Sequence, residues 1–250
     1  NQLSIIDVKN AKNINITGLA YNSQKVEKGQ VFVCIKGFKA DGHKFAGQAV
    51  ENGAVALVVE EFIDALEVPQ YKVGDARNAL AALAAAYYDH PTHKLKTIGI
   101  TATNGKTSTS FMTNAILENH GLKTGLMGTV VVKIGDYAEP SELTTPESLD
   151  LQRFYAKMVD EGVTHATMEV SSSALELKRV GCVDFDIVTL NNISREHIDL
   201  HSSFEKYFEH NSLSSTPLYT KEELEFIEKV GTIKVKLVQD QRPTCYEENG

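Results

Sequence analysis

The stretch "TIGITATNGKTSTS", residues 97–110, decides how the rest of the chain is read. An apolar run, "TIGIT", delivers the chain to a polar turn. Beyond the turn, "TSTSFMTNAILENHG" reads as a helix that ends at Gly121. A strand, a tight turn and a helix start, in that order, make a cradle for phosphate. Backbone N–H groups point inward, and the positive end of the helix favours an anion. In such a cradle Gly105 lets the backbone approach the oxygens, Lys106 reaches the terminal phosphates and Thr107 offers a hydroxyl to magnesium. The stretch misses the usual G-x-x-x-x-G-K-[ST] spacing, because Ile100 stands at the first glycine position. Ala102 stands where a looser loop would have glycine, and if φ must be positive there an alanine costs about 1 kcal/mol. A bare "NGKT" also occurs in plain polar turns; the strand before it and the helix after it favour the phosphate loop.

Working outward, strands and helices alternate on both sides of the loop. Upstream, "VFVCIKG" and "VALVVE" read as strands, "DGHKFAGQAVENGA" as a helix closed by Gly53, and "ARNALAALAAAYYD" as a helix stopped by His90-Pro91. Downstream, "TGLMGTVVVKIG", "HATMEVS" and "FDIVTLNNI" read as strands. "TTPESLDLQRFYAKMVDEG" reads as a helix with Thr145 as N-cap, Pro146 at its first position and Gly162 at its end. "SSFEKYFEHNSL" has Ser202 and Glu205 in capping-box spacing. From about residue 215 the chain changes character, giving a charged helix, a strand and a polar end. Such alternation predicts an α/β fold. A small N-terminal α/β domain precedes a phosphate-loop central domain with a mainly parallel sheet, the latter incomplete at its C-terminal side.

Composition limits the functions available. Among 250 residues, 42% are hydrophobic and 23% charged, ordinary values for a folded soluble protein. A net charge of −8 argues against a general nucleic-acid or anionic-membrane partner. No apolar run approaches the roughly 20 residues that span a bilayer. The N-terminal "NQLSIIDVKN" lacks the basic and apolar regions of a signal peptide. Cys34, Cys182 and Cys245 are too widely spaced for a disulfide framework or a zinc site, which fits a cytoplasmic protein.

Five segments, in order, resemble the Mur ligases, ATP-dependent enzymes that add amino acids to the peptide stem of the bacterial cell-wall precursor. They are "NSQKVEKGQVFVCIKGFKADGHKFAGQAVENGAVALVVE", "TATNGKTSTS", "LTTPESLDLQ", "MEVSSSALELKRV" and "NNISREHIDLHSSFEKYF". The likeness is greatest to the branch that adds the third residue of the stem. It implies a uridine-nucleotide-binding domain over residues 1–92, a partial ATP-binding central domain over 93–214 and a divergent tail over 215–250. The implied reaction uses ATP and Mg2+ to join a diamino acid to UDP-N-acetylmuramoyl-L-alanyl-D-glutamate through an acyl phosphate. A cytoplasmic monomer without nucleic-acid or membrane partners is also implied.

Residue by residue, the resemblance assigns the following. Thr103, Asn104, Gly105, Lys106, Thr107 and Ser108 form the ATP loop, and Asn192 lies near the nucleotide. Lys106, Glu169 and His197 carry the catalytic work, with Thr107, Glu169 and His197 as magnesium ligands. Ser23 contacts the uridine nucleotide, and Phe38, Lys39 and Ala40 sit in the turn beside the uracil. Thr144, Thr145, Ser171 and Arg179 contact the muramoyl dipeptide. Read without the family, Glu169 is an edge carboxylate, Arg179 a surface cation, Ser23 a turn serine, and Thr144-Thr145 simply a helix start. His197 and His201 are a metal pair or a solvated face.

Departures from the family pattern bear on activity. Ala102 replaces the loop glycine, Ser173 a histidine and Glu196 an aspartate. Asn211 stands where the family has a lysine that is carbamylated to bridge magnesium ions, and no match to the closing domain is found. The expectation is an impaired ligase, or a noncatalytic chain that keeps uridine-nucleotide or ATP binding.

Overall fold

The computed structural model describes residues 4–37 and 40–192, together with the backbone of 234–237. The chain divides into two compact units, Asn1–Tyr87 and Tyr88–Gly250. Unit one is a five-stranded sheet of β1 (Ile5–Lys9), β2 (Gly18–Ala20), β3 (Gln30–Val33), β4 (Ala56–Val59) and β5 (Gln70–Val73), in the order β1-β5-β4-β3-β2. Neighbours are parallel except for β1, which runs antiparallel to β5 at the edge. All four residues of β4 are buried, as expected of a parallel strand covered on both faces. Two helices complete the unit, α1 (Ala46–Glu51) and α2 (Ala76–Tyr87). Alanines at 76, 79, 81, 84 and 85 are buried with Leu80, so α2 joins high helix propensity to a slim packing face. The Asp75 carboxylate starts α2 by accepting from the N–H groups of Arg77 (2.8 Å) and Asn78 (2.9 Å). The chain leaves α2 through Asp89 and His90, both at positive φ (56° and 47°), and Pro91 opens a short 3-10 turn.

Unit two holds β6 (Lys96–Thr101), α3 (Lys106–Asn119), β7 (Thr124–Met127), β8 (Val131–Ile134), β9 (Tyr137–Pro140), α4 (Ser148–Asp160), β10 (His165–Glu169), α5 (Ser172–Glu176), β11 (Ile187–Leu190) and β12 (Lys234–Leu237). The sheet order is β12-β11-β6-β10-β7-β8-β9. Strands β11, β6, β10 and β7 are parallel, whereas β8, β9 and β12 are antiparallel additions at the two edges. "TGLMGTVVVKIG" is therefore not one strand but the hairpin β7–β8, reversed at Gly128–Val130. The chain goes from β6 to one side (β7, β10) and then returns to the other (β11). This makes β6 the topological switch of the sheet, and in open α/β sheets the crevice for ligands lies beyond the strand ends at such a point.

The core of unit two sits between α4 and the sheet. Leu151, Tyr155 and Met158 of α4 are fully buried with Met127, Ile134, Ala166 and Met168. The Tyr155 hydroxyl donates to Met168 Sδ at 3.2 Å, and burial holds its phenol well above the usual range. Two expectations are corrected here. Helix α4 begins at Ser148 with Glu147 as N-cap, so Thr145 is not its cap and Pro146 is not its first residue. The reason is that the Thr145 hydroxyl is engaged elsewhere, at the end of β10. Cys34 is a free buried thiol, but Cys182 is disulfide-bonded, which the cysteine spacing did not announce. The expected strand in the tail exists as β12; the expected helices after residue 201 lie outside the described residues.

Gly99, in the middle of β6, leaves room for the Phe185 ring, since a Cβ there would lie 2.7 Å from Phe185 Cε1. A rigid ring cannot give way cheaply. Gly99→Ala is expected to lower stability by about 1–3 kcal/mol, read by urea denaturation. An unchanged midpoint and slope would show that this packing is looser than described.

Candidate functional site

The loop after β6 is built as a cradle. Gly105, at φ 84°, is its only residue in the left-handed region. Nothing lies within 4 Å of where its Cβ would be, so the backbone turn requires the glycine, and the space before it stays open. Ala102 is 4% exposed and has no positive φ, so the expected strain at this position is absent. Helix α3 starts without a side-chain cap. The positive end of the helix dipole lies at this start, facing the loop. Lys106 folds back over the loop, its Nζ donating to the carbonyls of Ala102 (2.7 Å) and Thr103 (3.2 Å). Ser108 is exposed on the first turn of α3.

The end of β11 clasps the loop from the other side. Asn192 donates from Nδ2 to Asn104 O (2.7 Å) and accepts at Oδ1 from Asn104 N (3.0 Å). Its carbonyl takes the N–H of Thr103 at 3.1 Å. Asn191 Nδ2 donates to Thr109 Oγ1 at 2.6 Å. The Asn192 amide, expected near the nucleotide, is thus engaged with the loop backbone itself.

Beside β6, β10 ends at Glu169, which is completely buried. Its Oε2 accepts from Thr107 Oγ1 (2.9 Å) and Thr129 Oγ1 (3.0 Å). Its Oε1 accepts from Thr129 N (3.2 Å) and lies 3.3 Å from Ser110 Oγ. These partners are neutral, and no cationic side chain among the described residues pairs with this carboxylate. Gly128 makes room for it, since a Cβ there would fall 2.1 Å from Oε1. No group of three or more His, Cys, Asp or Glu that could hold a metal occurs among the described residues.

Four residues expected at the substrate gather on the same strand end. Thr144 Oγ1 lies 3.1 Å from Thr129 Oγ1. The Thr145 hydroxyl donates to Glu169 O (2.9 Å) and accepts from Ser171 N (3.1 Å). Ser171 caps α5, its Oγ accepting from Ala174 N at 3.2 Å. Arg179 is no surface cation: its Nε donates to Glu147 Oε1 (2.8 Å) and its Nη1 to Thr145 O (3.1 Å). In unit one, Ser23 is buried and its hydroxyl donates to Gln48 Oε1 at 2.7 Å, while Ala40 O accepts from Gly37 N at 2.8 Å. Phe38, Lys39 and His197 lie outside the described residues. Thr129, Ser110, Glu147 and Asn191 are parts of this constellation that sequence reading missed. Each meets its partner only through the strand order.

The Arg179–Glu147 pair is largely buried, with side-chain exposures of 16% and 10%. Arg179→Ala takes the guanidinium away from a buried carboxylate and is expected to cost about 3 kcal/mol in urea denaturation. The double variant Arg179→Met/Glu147→Gln is expected to recover most of that loss. A double variant as unstable as the single one would contradict the pairing.

Comparison with known proteins agrees with this geometry. The family model described as Mur ligase middle domain matches residues 100–213, and the one described as Mur ligase family, catalytic domain matches residues 15–88. The UDP-N-acetylmuramoyl-L-alanyl-D-glutamate--2,6-diaminopimelate ligase of Caldanaerobacter subterraneus subsp. tengcongensis is 47% identical over 202 residues, covering 80% of this chain and 42% of the relative. The ligase of the same name from Geobacillus thermodenitrificans is 49% identical over 195 residues, covering 78% and 40%. A solved structure of a ligase with this name superposes with a TM-score of 0.67 at 26% identity, over 79% of this chain and 40% of that one. The chain therefore spans about two fifths of the length of the relatives it matches. On these matches, and on the two α/β units that bear them, the chain belongs to the Mur ligase family, with sequence of its N-terminal and middle domains.

Proposed function

We propose that this chain binds ATP with Mg2+ at the cradle of α3 and serves the addition of diaminopimelate to UDP-N-acetylmuramoyl-L-alanyl-D-glutamate in the cytoplasm. The choice of diaminopimelate follows the names of the relatives, which are 47% and 49% identical. One observation carries the reading: the Thr107 hydroxyl meets the buried Glu169 carboxylate at 2.9 Å, at the start of a 14-residue helix and beyond the switch strand β6. A hydroxyl and a carboxylate are hard oxygen donors, and magnesium is commonly held by one or two protein oxygens with water and phosphate. The residues present fit the ion. When bound, magnesium would neutralise charge gathering on the transferring phosphoryl group.

The residues divide the remaining work. The first turn of α3 and Lys106 hold phosphate oxygens, the lysine exchanging its loop carbonyls for them. Asn191 and Asn192 fix the loop from behind, so little reorganisation accompanies binding. Thr144, Thr145 and Ser171 present hydroxyls beside Glu169, where the glutamyl carboxylate of the substrate must come to receive the phosphoryl group. ATP then loses its γ-phosphoryl group to that carboxylate, leaving ADP. An amine of the diamino acid attacks the acyl phosphate and expels phosphate as the amide forms. Ser23 and the turn 37–42 belong to the uridine nucleotide in this reading. No helix among the described residues is long and apolar enough to cross a membrane.

A second reading, binding without ligation, is favoured by Asn211, which has no amine to carbamylate. Incubating the chain with Mg-ATP, the muramoyl dipeptide and meso-diaminopimelate separates the two, with ADP and tripeptide as readouts. Tripeptide formed in step with ADP supports the ligase. Mg-ATP binding without tripeptide supports the binding module. In either case Lys106→Met is expected to weaken Mg-ATP at least tenfold by calorimetry. A chain that binds no ATP at any magnesium concentration overturns both.

A further inference from the structure

Thr129 is not among the residues that the resemblance assigns, yet its side chain reaches both Glu169 and Thr144. It stands in the tight reversal between β7 and β8, exposed as a residue, while its backbone N–H and hydroxyl both reach a carboxylate that solvent does not. The hydroxyl has one proton and two acceptor pairs. A carboxylate can only accept, so that one proton has two acceptors within reach, Glu169 Oε2 at 3.0 Å and Thr144 Oγ1 at 3.1 Å. Thr129 thus bridges the carboxylate and Thr144, with Thr107 O–H reaching the same Oε2 from the phosphate loop at 2.9 Å.

We propose that Thr129 is a positioning residue, which fixes the Glu169 carboxylate against Thr107 through its N–H and hydroxyl and ties that carboxylate to Thr144 on the substrate segment. This rests on the reading of Thr107 and Glu169 as the magnesium pair. Three features support it. Both donors of Thr129 converge on one side chain, which fixes the rotation of the carboxylate as well as its place. Gly128 is required beside it, because any Cβ would strike Oε1 at 2.1 Å. The second acceptor within reach of the Thr129 hydroxyl, Thr144, comes from the segment before α4, so Thr129 stands between the carboxylate and the substrate side.

The test reads how magnesium tightens ADP, by titrating a fluorescent ADP analogue into the chain across a magnesium series. Thr129→Val keeps the N–H donor and loses only the hydroxyl. It is expected to raise the magnesium concentration for half-maximal tightening about tenfold, with affinity for magnesium-free ADP within twofold of wild type. Thr129→Ser restores the hydroxyl and is expected to return the requirement to within threefold of wild type, which a purely steric role for the side chain would not do. Thr144→Val removes the competing acceptor without touching Glu169, and is expected to leave the magnesium requirement at or below that of wild type. Thr129→Ala, which also lacks the hydroxyl, decides the matter should Thr129→Val fail to fold. A magnesium requirement unmoved in folded Thr129→Val, or in Thr129→Ala if that variant alone folds, overturns the proposal and leaves the reading of the site intact. A wild-type chain that binds no ADP at any magnesium concentration overturns the reading of the site, and the role of Thr129 with it.

Discussion

A carboxylate paired with no cation among the described residues holds this site together. Glu169 ends β10 in complete burial, and among the described residues its oxygens face hydroxyls and one backbone N–H. Removing an ion from water costs several kcal/mol even after relaxation, and neutral donors offset that cost in part. Each donor comes from a different place: Thr107 and Ser110 from α3, Thr129 from the β7–β8 reversal, and Thr145, through the Glu169 carbonyl, from the approach to α4. The three segments are therefore fixed relative to one another by one residue, two through its side chain and one through its carbonyl. A cation that reached Oε2 beside Thr107 would find the carboxylate already oriented, so the folding energy that holds the donors also prepares the site.

The same arrangement accommodates two of the departures from family pattern, Ala102 and Ser173, whereas Glu196 and Asn211 lie outside the described residues. Ala102 lies at an ordinary φ, and its carbonyl receives Lys106, so the missing glycine removes nothing the loop uses. Gly105 alone takes the left-handed turn. Ser173 stands 3.1 Å from Ser171 within the α5 cap and leaves the Thr145–Ser171 contact in place.

Much of the fold was legible because it is local. The strand, turn and helix around Gly105-Lys106-Thr107, the alanine face of α2 and the stop at His90-Pro91 are written in neighbouring residues. What the sequence hid depends on strand order. Thr129 and Glu169 are 40 positions apart and meet because β10 lies between β6 and β7. Thr145 has the residue type and spacing of a helix cap, and local rules assign it that role. Its hydroxyl goes instead to a carbonyl 24 residues away, so the helix starts later, at Ser148. Arg179 looked like a surface cation because its partner, Glu147, is 32 residues upstream. The family resemblance named Glu169, Thr144, Thr145 and Ser171 without saying that they share hydrogen bonds, and the structure supplies that connection.

The chemistry of the site turns on where a divalent cation goes when nucleotide phosphate occupies the cradle. Crystals of the chain grown with ADP and Mn2+ in place of Mg2+ would locate the cation by anomalous scattering. A peak in contact with Thr107 Oγ1 and Glu169 Oε2, with the phosphates against the first turn of α3, is the predicted result. A cation away from Glu169, or phosphates away from the start of α3, would contradict it.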